Sequence, residues 1–486
     1  MSVKEYYEFI KGNKAKLRQF IADMPKGAEL HHHLTGAAYA ETLFSIACDA
    51  NLYVNLQSGR LYEAKPPEID SVRLSNGMDN YHQIHMTLID KWSVKNYQPY
   101  KYPLGPDEYF FSLFGNFIAA AGNKYLGHIV HQLKVRAKEE NLQYIETIGI
   151  APSVPTDAFL SNKYDEFTEK LKEWSLASEL PEEKVRNLIK KIIGLYNNQY
   201  CDTSSKLYKA VQDYISDNVS ILNPSNKTLV KSKFDAMTVP EDEVLMKLQG
   251  YASRDKAPLI VLCQLYIIFK AMQLKPDVIV GCNLVAAENS ENSMQYYLVH
   301  MLMFSELGAK FENDCKKTPN IALHAGELTM GLVPPEHLTY HVTYAVLWGG
   351  ARRVGHGVDI VFEHDSAYLL HLMKENDIAI EINLTSNEFI LGVKGDSHPF
   401  SIYKDSGVPM VISTDDPGIL RTSITEEYAL AAYRYALKYE DIKNIARNSI
   451  KYSFLNEDDK NRISAVYEKK LAEFEDKYAD FNPSKK

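Results

Sequence analysis

Cysteine is scarce in this chain. Its 486 residues include five cysteines, widely spread and without a Cys-x-x-Cys pair. A disulfide framework normally needs a denser and even-numbered set. We therefore predict reduced thiols and a cytoplasmic location. The five residues are Cys48, Cys201, Cys263, Cys282 and Cys315.

The chain also lacks a long apolar run and an excess of positive charge. The longest apolar segment, residues 257–269, has about 13 residues, which is too few to cross a bilayer. Residues 1–14 are too polar for a signal peptide. The formal net charge is -9, whereas nucleic-acid-binding proteins usually present a basic surface. We expect neither a membrane nor a nucleic acid as a partner.

Apolar residues are plentiful, and they recur in short runs that predict strands. The chain is 45% hydrophobic and 24% charged, which is typical of a globular protein with a large core. Five runs end in polar, ionisable residues, and three more runs complete a set of eight. Functional side chains at the carboxyl ends of parallel strands are typical of a (β/α)8 barrel. The five runs lie within 28–33, 320–327, 353–357, 378–387 and 408–417, and the others are 142–148, 244–250 and 277–284.

The spacing of the strand ends supports the same fold class. His324, His356, Asn383 and Asp415 follow one another at intervals of 32, 27 and 32 residues, which is close to one strand–helix unit. We predict an α/β protein with a (β/α)8 TIM barrel and helical insertions after the first and second strands.

The predicted organisation has three parts. An N-terminal helical segment spans 1–26, the barrel spans 27–450, and a C-terminal helical layer with a tail spans 451–486. The insertions, at about 45–135 and 152–240, are expected to be helical, and in the second one Lys, Glu and Leu recur at helical spacing. They could cap the barrel mouth or form the contacts of a homodimer.

The triplet His31-His32-His33 stands at the end of the first predicted strand. Side chains alternate between the two faces of a strand, so His31 and His33 point the same way and His32 points the opposite way. Two imidazoles at one strand end can bind a divalent transition metal. The pair is also compatible with histidines that only pack in the core, and we assign His32 a packing role.

Three further motifs place ionisable side chains at predicted strand ends. His324 and Glu327 form a His-x-x-Glu motif, and His356 lies between two glycines that leave room for a ligand. Asp415 and Asp416 are adjacent carboxylates, which repel each other unless a cation or a donor compensates. Each motif has a structural alternative: a core histidine beside a surface glutamate, a turn histidine, or a solvated acidic turn. Together they would meet in one pocket, which favours metal-assisted hydrolysis.

Four segments resemble the adenosine deaminase family of metal-dependent hydrolases. They are MPKGAELHHH at 24–33, HAGE at 324–327, RVGHG at 353–357 and STDDP at 413–417. Their order and spacing match the family from the first strand to the eighth, over roughly residues 20–450 without the two insertions. The MPKG lead and the long insertions resemble the growth-factor-type and bacterial long deaminases.

The resemblance implies a role for each matching residue. It implies one Zn2+ ion per subunit and a purine nucleoside as the small-molecule substrate. Glu327 would protonate purine N1, and His356 would orient and activate the attacking hydroxide and stabilise the developing charge. Asp416 would accept a hydrogen bond at purine N7, and the backbone of Gly326 would line the purine ring. The implied zinc ligands are His31, His33, His324 and Asp415.

Two positions depart from the family pattern. The family usually has an aspartate that binds the ribose hydroxyl two residues after the second histidine, and this chain has Thr35 there. Residues 283–288 read NLVAAE where the family usually has Asp-Leu-Ala-Gly before an acidic pair. Ala286 could still donate its backbone N–H to purine N3, but its methyl group narrows the approach. The catalytic set is therefore complete and the sugar-binding set is altered.

We expect zinc-dependent hydrolytic deamination of adenosine and deoxyadenosine to inosine and ammonia, in purine metabolism and salvage. An alternative is deamination of another 6-aminopurine: adenine, an N6-substituted form or a nucleotide. A nucleotide would need basic residues at the mouth, for which Lys65, Lys247 and Arg254 are candidates. A third hypothesis is a non-catalytic binding or signalling protein that works through its insertions.

Overall fold

Eleven strands and nineteen α-helices make up the part of the chain described by the computed structural model, residues 2–155, 162–175, 181–223 and 244–479. The strands are β1 Gly27–Glu29, β2 Tyr53–Val54, β3 Leu61–Tyr62, β4 Val72–Arg73, β5 Leu142–Ile148, β6 Leu245–Ser253, β7 Ile279–Val285, β8 Ala322–Ala325, β9 Arg353–His356, β10 Ala379–Ile382 and β11 Met410–Ile412. The first ten helices are α1 Val3–Ile10, α2 Lys14–Asp23, α3 Ala40–Asp49, α4 Tyr81–Lys91, α5 Pro106–Phe117, α6 Asn123–Glu139, α7 Asn162–Ser175, α8 Glu182–Cys201, α9 Lys206–Leu222 and α10 Pro258–Leu274. The remaining nine are α11 Glu291–Cys315, α12 His341–Leu347, α13 Ser366–Glu375, α14 Leu384–Leu391, α15 Phe400–Ser406, α16 Pro417–Leu420, α17 Ile424–Arg434, α18 Tyr439–Lys451 and α19 Glu457–Ala479.

Eight parallel strands form two sheets that close on each other. One sheet has the order β1-β5-β6-β7 and the other the order β8-β9-β10-β11. A bridge between Cys282 and Ile321 joins the sheets on one side, and a bridge between His32 and Asp415 joins them on the other. The predicted (β/α)8 barrel is confirmed. Barrel closure brings the first and last strand ends side by side, although they are almost 400 residues apart in sequence.

A buried ion network fills the barrel interior below the strand ends. The Arg353 guanidinium donates from Nε to Glu381 Oε1 at 2.6 Å and from Nη2 to Glu146 Oε1 at 2.5 Å. The same guanidinium lies 3.7 Å from the centroid of the Phe454 ring. All three charged side chains are almost completely buried, so each must be paired to be tolerated. The network ties β5, β9 and β10 together beneath the site.

The first insertion differs from the prediction, because it is not helical throughout. The strands β2, β3 and β4 form a three-stranded antiparallel sheet between α3 and α4. Each of these strands has two residues, which is shorter than any stretch in which alternation is detectable from sequence.

Helix α5 of the first insertion approaches the barrel mouth. Pro106 begins the helix, and Asp107 and Glu108 lie in its first turn, where they favour helix initiation. Phe110 and Phe114 recur at helical spacing on one face. The helix packs against α14, which follows β10. This insertion therefore covers part of the mouth.

The second insertion and the chain ends pack around the outside of the barrel. Helices α8 and α9 pack against α11 and α10 respectively, and parts of the predicted helical range 152–240 lie outside the described residues. Helices α1, α2 and α19 meet in an aromatic cluster in which Phe20 lies 4.9 Å from the rings of both Phe474 and Tyr478. Among the described residues, no helix is both long and apolar enough to span a bilayer. Self-association through the insertions stays a prediction.

Candidate active site

The predicted metal ligands meet where the barrel closes. The backbone amide of His33 donates to Asp415 O at 2.9 Å, and the amide of Asp415 donates to His31 O at 3.0 Å. These bonds fix the His-x-His segment beside the aspartate. His324 is a residue of β8, on the opposite sheet. Backbone pairing therefore brings together side chains from three strand ends.

The side-chain donor atoms of this cluster lie close together. His33 Nε2 is 3.1 Å from His324 Nε2 and 3.2 Å from Asp415 Oδ1. His31 Nε2 is 3.5 Å from the same carboxylate oxygen. His31 Nε2 is buried and has no hydrogen-bond partner. Three imidazoles and one carboxylate are the donor set that zinc and other divalent transition metals prefer. The residues present fit a metal ion.

Two hydrogen bonds orient the imidazoles towards this cluster. Glu381 Oε2 lies 2.8 Å from His31 Nδ1, and Asn283 Oδ1 lies 2.9 Å from His324 Nδ1. In each ring Nδ1 can donate to the oxygen and leave Nε2 free to bind a metal. Ser386 Oγ donates to Asp415 Oδ2 at 2.7 Å. Sequence reasoning missed these roles, although a single charged residue inside the apolar run of β10 was a visible signal for Glu381.

The electrostatics of the cluster keep its carboxylate ionised. Burial alone would raise the pKa of Asp415, but the adjacent His31 and His33 side chains hold the pKa well below its usual value. The pKa of the buried Glu381 carboxyl is likewise lowered, because Arg353 and His31 outweigh the effect of burial. The cluster thus offers an ionised carboxylate as a ligand for a cation.

Glu327 follows the cluster on a sharply turned segment. Gly326 has φ +75°, and an added Cβ there would meet the side chains of Asp359 and Val342. Burial raises the pKa of the Glu327 carboxyl well above its usual value, and the negative charges of Asp415 and Glu288 raise it further. Glu327 is therefore a carboxylic acid that can carry a proton near neutral pH.

A buried carboxylate holds the backbone of this segment. Glu288 Oε2 accepts from the amide of Glu327 at 2.8 Å, and Glu288 Oε1 accepts from the amide of Gly326 at 3.2 Å. Glu288 Oε1 is also 2.6 Å from His341 Nδ1 and 3.5 Å from Arg254 Nη1. Burial opposes ionisation of Glu288, but Arg254 and His341 outweigh it and lower the pKa to about 2. Sequence reasoning did not assign this role.

His356 lies beside Glu327 at the end of β9. Its Nε2 is 3.7 Å from Glu327 Oε1 and has no hydrogen-bond partner. The residue has φ +69°, which is uncommon for a residue other than glycine. A Cβ at Gly355 would come within 2.6 Å of the His31 ring, so the preceding glycine is needed for close packing. Burial, with the nearby His31, lowers the pKa of His356 to about 3, and the ring is neutral.

His33, His324, Glu327, His356 and Asp415 line one cavity of about 480 Å³, a volume typical of sites for small molecules. The predicted catalytic residues line one part, and phenylalanines of α5 line another. Among the described residues that line it, none is a lysine or an arginine. The lining includes His33, Thr35, Phe110, Phe111, Phe114, Tyr251, Ala286, His324, Glu327, His356, Asp415 and Asp416.

Part of the chain is similar to a known protein family. Residues 241–469 match the family model described as adenosine deaminase. Over these residues, slightly less than half of the chain, the sequence is similar to the adenosine deaminase family. The adenosine deaminase of Plasmodium gallinaceum is 32% identical over 148 residues, which are 30% of this chain and 39% of that protein. The adenosine deaminase of Escherichia coli O157:H7 is 32% identical over 145 residues, which are 30% of this chain and 40% of that protein. The alignments thus span about two fifths of these relatives.

Solved structures with the same fold cover nearly the whole chain. The N6-methyl-AMP deaminase of Arabidopsis thaliana superposes with a TM-score of 0.54 at 19% identity, and covers 94% of this chain and 99% of its own. An amidohydrolase from Burkholderia ambifaria, solved with bound zinc, superposes with a TM-score of 0.55 at 16% identity. The match covers 96% of this chain and 95% of that chain. At these identities the likeness establishes the fold alone, a (β/α)8 barrel.

The positions that the family resemblance links to substrate are only partly on the cavity wall. Thr35, Ala286 and Asp416 line it, whereas Gly326 is not in the lining and directs its amide to Glu288. Asp416 Oδ1 is buried without a partner. Burial and the charge of Asp415 raise the pKa of Asp416 well above its usual value.

The three basic residues considered for a phosphate group do not line the cavity either. Arg254 is completely buried, and its Nη2 donates to Leu284 O at 2.8 Å and to His324 O at 2.6 Å. Lys247 Nζ donates to Asp277 O, next to the start of β7 and at the other end of the barrel. Lys65 is exposed in the first insertion. Arg254 is a structural residue that joins the ends of β6, β7 and β8.

Proposed function

We propose that this protein is a zinc-dependent aminohydrolase that converts adenosine and deoxyadenosine to inosine or deoxyinosine and ammonia, in purine metabolism. The observation that carries the proposal is the convergence, in one cavity, of His33, His324 and Asp415 with a buried acid and a neutral histidine, and His31 lies beside Asp415 in the same cluster. Similarity to adenosine deaminases over residues 241–469 supports the same chemistry.

The four-residue cluster would hold one divalent metal ion, with His31 and His324 oriented by Glu381 and Asn283. A metal bound there supplies Lewis-acid chemistry, because it lowers the pKa of water to near 7. Zinc is favoured by the family resemblance, although the same ligands also suit iron, cobalt or nickel.

Glu327 is placed to move protons during the reaction. In its protonated state it donates to purine N1 as water forms a bond to C6, and the C6–N1 π electrons move to N1. The resulting carboxylate takes one proton from the attacking water. The other water proton leaves with the amino group as ammonia when the C6–N bond breaks. The raised pKa of Glu327 supports this role, because the residue must carry a proton at the start.

Asp416 and Ala286 would position the purine. Purine N7 carries no hydrogen, so Asp416 must donate to it rather than accept, which reverses the direction expected from the resemblance. The raised pKa of Asp416 agrees with a protonated donor. Ala286 has φ +90°, and its backbone N–H is the proposed donor to purine N3. Thr35 offers the ribose an uncharged hydroxyl where the family usually offers a carboxylate.

The cavity lining favours a nucleoside over a nucleotide. A phosphate monoester is normally bound by Arg, Lys or a helix N-terminus. The described lining residues include the N-terminus of α6, at Gly122 and Asn123, but no Arg or Lys. Phe110, Phe111 and Phe114 instead present apolar surface. Adenine and N6-substituted nucleosides are the second candidate substrates, because Thr35 and Ala286 depart from the family pattern at positions that contact the nucleoside. Buried acids such as Glu327, whose pKa is raised by burial, are costly, which disfavours a purely non-catalytic protein.

A substrate panel on zinc-loaded protein tests the proposal. We expect adenosine and deoxyadenosine to lose absorbance in the purine band with release of one equivalent of ammonia, and to be turned over faster than adenine, N6-methyladenosine and AMP. The Glu327→Gln variant, with zinc content checked, is the negative control. Absence of turnover of both nucleosides would overturn the proposal, and a preference for AMP would overturn the choice of a nucleoside.

A further inference from the structure

A line of hydrogen bonds from outside the cavity ends at His356. It starts at the backbone amide of Phe400, which donates to His398 Nδ1 at 3.1 Å. His398 Nε2 lies 3.1 Å from Asn387 Oδ1, and Asn387 Nδ2 lies 2.9 Å from His356 Nδ1. Asn387 and His398 are almost completely buried. Asn387 belongs to α14, and His398 lies just before α15, so both come from the segment after β10.

The direction of every bond in this line follows from its first member. A backbone N–H can only donate, so His398 Nδ1 must be an acceptor and carries no hydrogen. The one ring proton of His398 is then on Nε2, which donates to the Asn387 side-chain oxygen. With its oxygen engaged, Asn387 must present its NH2 group to His356. His356 Nδ1 therefore accepts, and the one proton of this ring is on Nε2.

We propose that His398 and Asn387 are positioning residues that fix His356 as the Nε2–H tautomer, so that His356 donates a hydrogen bond to the oxygen attacking C6 and does not accept its proton. This inference rests on the proposed function and narrows the role that the family resemblance implies for His356. Proton acceptance then falls to Glu327, whose Oε1 is 3.7 Å from the same Nε2.

Other features around the ring agree with this assignment. His356 Nε2 is buried without a protein partner, whereas its Nδ1 has Asn387 at 2.9 Å and a second, longer contact to Asn383 Nδ2 at 3.5 Å. Both neighbours present an NH2 group to Nδ1. The charged and titratable groups near the ring are His31, His324, Glu327 and Asp415. A proton on Nδ1 would face two donors and lose both bonds.

Two substitutions change the donor that faces Nδ1. Asn387→Asp replaces the NH2 group by an acceptor, so the proton should move to Nδ1 and leave Nε2 bare. His398→Leu removes the donor that orients the Asn387 amide. His398→Gln is the matched control, because its amide can accept from the Phe400 N–H and donate to Asn387. The ring is not replaced in any of these variants, and circular dichroism and zinc content report whether each one folds.

The tautomer is read directly by 15N NMR of histidine-labelled, zinc-loaded protein, in which protonated and bare ring nitrogens have distinct shifts. Loss of signals in His356→Gln assigns the ring. We expect a protonated Nε2 in wild type and His398→Gln, and a protonated Nδ1 in Asn387→Asp. With adenosine, kcat of Asn387→Asp should fall by about 10² to 10⁴-fold, as expected for a wrong tautomer, while KM changes by less than about threefold.

The outcomes separate this inference from the proposed function. A wild-type spectrum with the proton on Nδ1 would overturn the inference whether or not the protein turns over adenosine. So would an Asn387→Asp variant that folds, shows the moved proton and keeps wild-type kcat. A protonated Nε2 in wild-type protein that deaminates no 6-aminopurine would support the tautomer assignment and refute the function.

Discussion

Removing the charge of Glu288 should damage both stability and turnover. In the wild-type protein, the two carboxylate oxygens of Glu288 accept from the amides of Gly326 and Glu327 and contact the ring of His341. In Glu288→Gln, only one side-chain oxygen remains to accept hydrogen bonds. Arg254, completely buried and 3.5 Å from Glu288 Oε1, loses its counter-charge. Leaving one member of a buried pair without its partner destabilises a protein by about 3–5 kcal/mol.

The lowered pKa of Glu288 implies a magnitude of the same order. The pKa of Glu288 is about 2 in the folded protein, compared with 4.5 for the free group, and this difference corresponds to about 3 kcal/mol. Because the folded-state pKa is depressed, the stabilisation is fully present above about pH 4.5 and is lost as the pH falls towards 2. The difference in unfolding free energy between wild type and Glu288→Gln should therefore shrink below pH 4.5.

Urea unfolding of metal-free protein at pH 7 and near pH 3 measures this difference. Glu363→Gln is the matched control, since Glu363 is a buried carboxyl that accepts from the amides of Val342 and Thr343 at 2.7 and 3.2 Å. Burial raises the pKa of Glu363. The difference in unfolding free energy between wild type and Glu363→Gln should therefore grow, not shrink, at low pH. On turnover, displacement of Glu327 should lower kcat about 10²-fold in Glu288→Gln but not in Glu363→Gln. A Glu288→Gln variant with wild-type stability and kcat at pH 7 would refute this reasoning.

Three further outcomes follow from the site. Glu381→Gln should weaken zinc binding about 10- to 100-fold, because Glu381 orients His31. Competition with a chromogenic chelator measures the loss of affinity, and an unchanged affinity would show that this orientation is dispensable. Prolonged chelation at about pH 5 should remove the metal and abolish the activity, because protons compete with the metal for the histidine ligands. Adding zinc alone should restore the bound metal and the activity. Full activity in metal-depleted protein would contradict the ligand assignment. Thr35→Asp should raise kcat/KM for adenosine more than for adenine, because only the nucleoside has a ribose to bind; equal effects on both would place Thr35 away from the sugar.

Much of the barrel was predictable because its signals are local. Each barrel strand is a short apolar run, and a polar burst such as the one at His324 and Glu327 marks its carboxyl end. In a parallel barrel all such ends lie on one face. Convergence of the motifs therefore follows from fold class alone, without knowledge of any contact. The small sheet of the first insertion left no comparable signal, because its strands are two residues long.

The residues that support the site were not predictable in the same way. Arg254 looked like a candidate for binding phosphate, because its type and its place near a strand end were all that the sequence offered. Its burial and its bonds to two carbonyl groups exist only in the folded chain. Glu288 and His398 were equally unmarked, since a buried carboxylate and a surface one look identical in sequence.

The sequence by itself determined the barrel class and the types of side chain available at its strand ends, because alternation, apolar runs and motif spacing are properties of neighbouring residues. Only the tertiary structure decided which atom of each side chain faces the cavity. Hydrogen bonds such as those of Asn387 with His356 and of Glu381 with His31 join loops that are distant in the chain. The protonation and orientation of a catalytic group depend on such partners, and the partners meet only when the barrel closes.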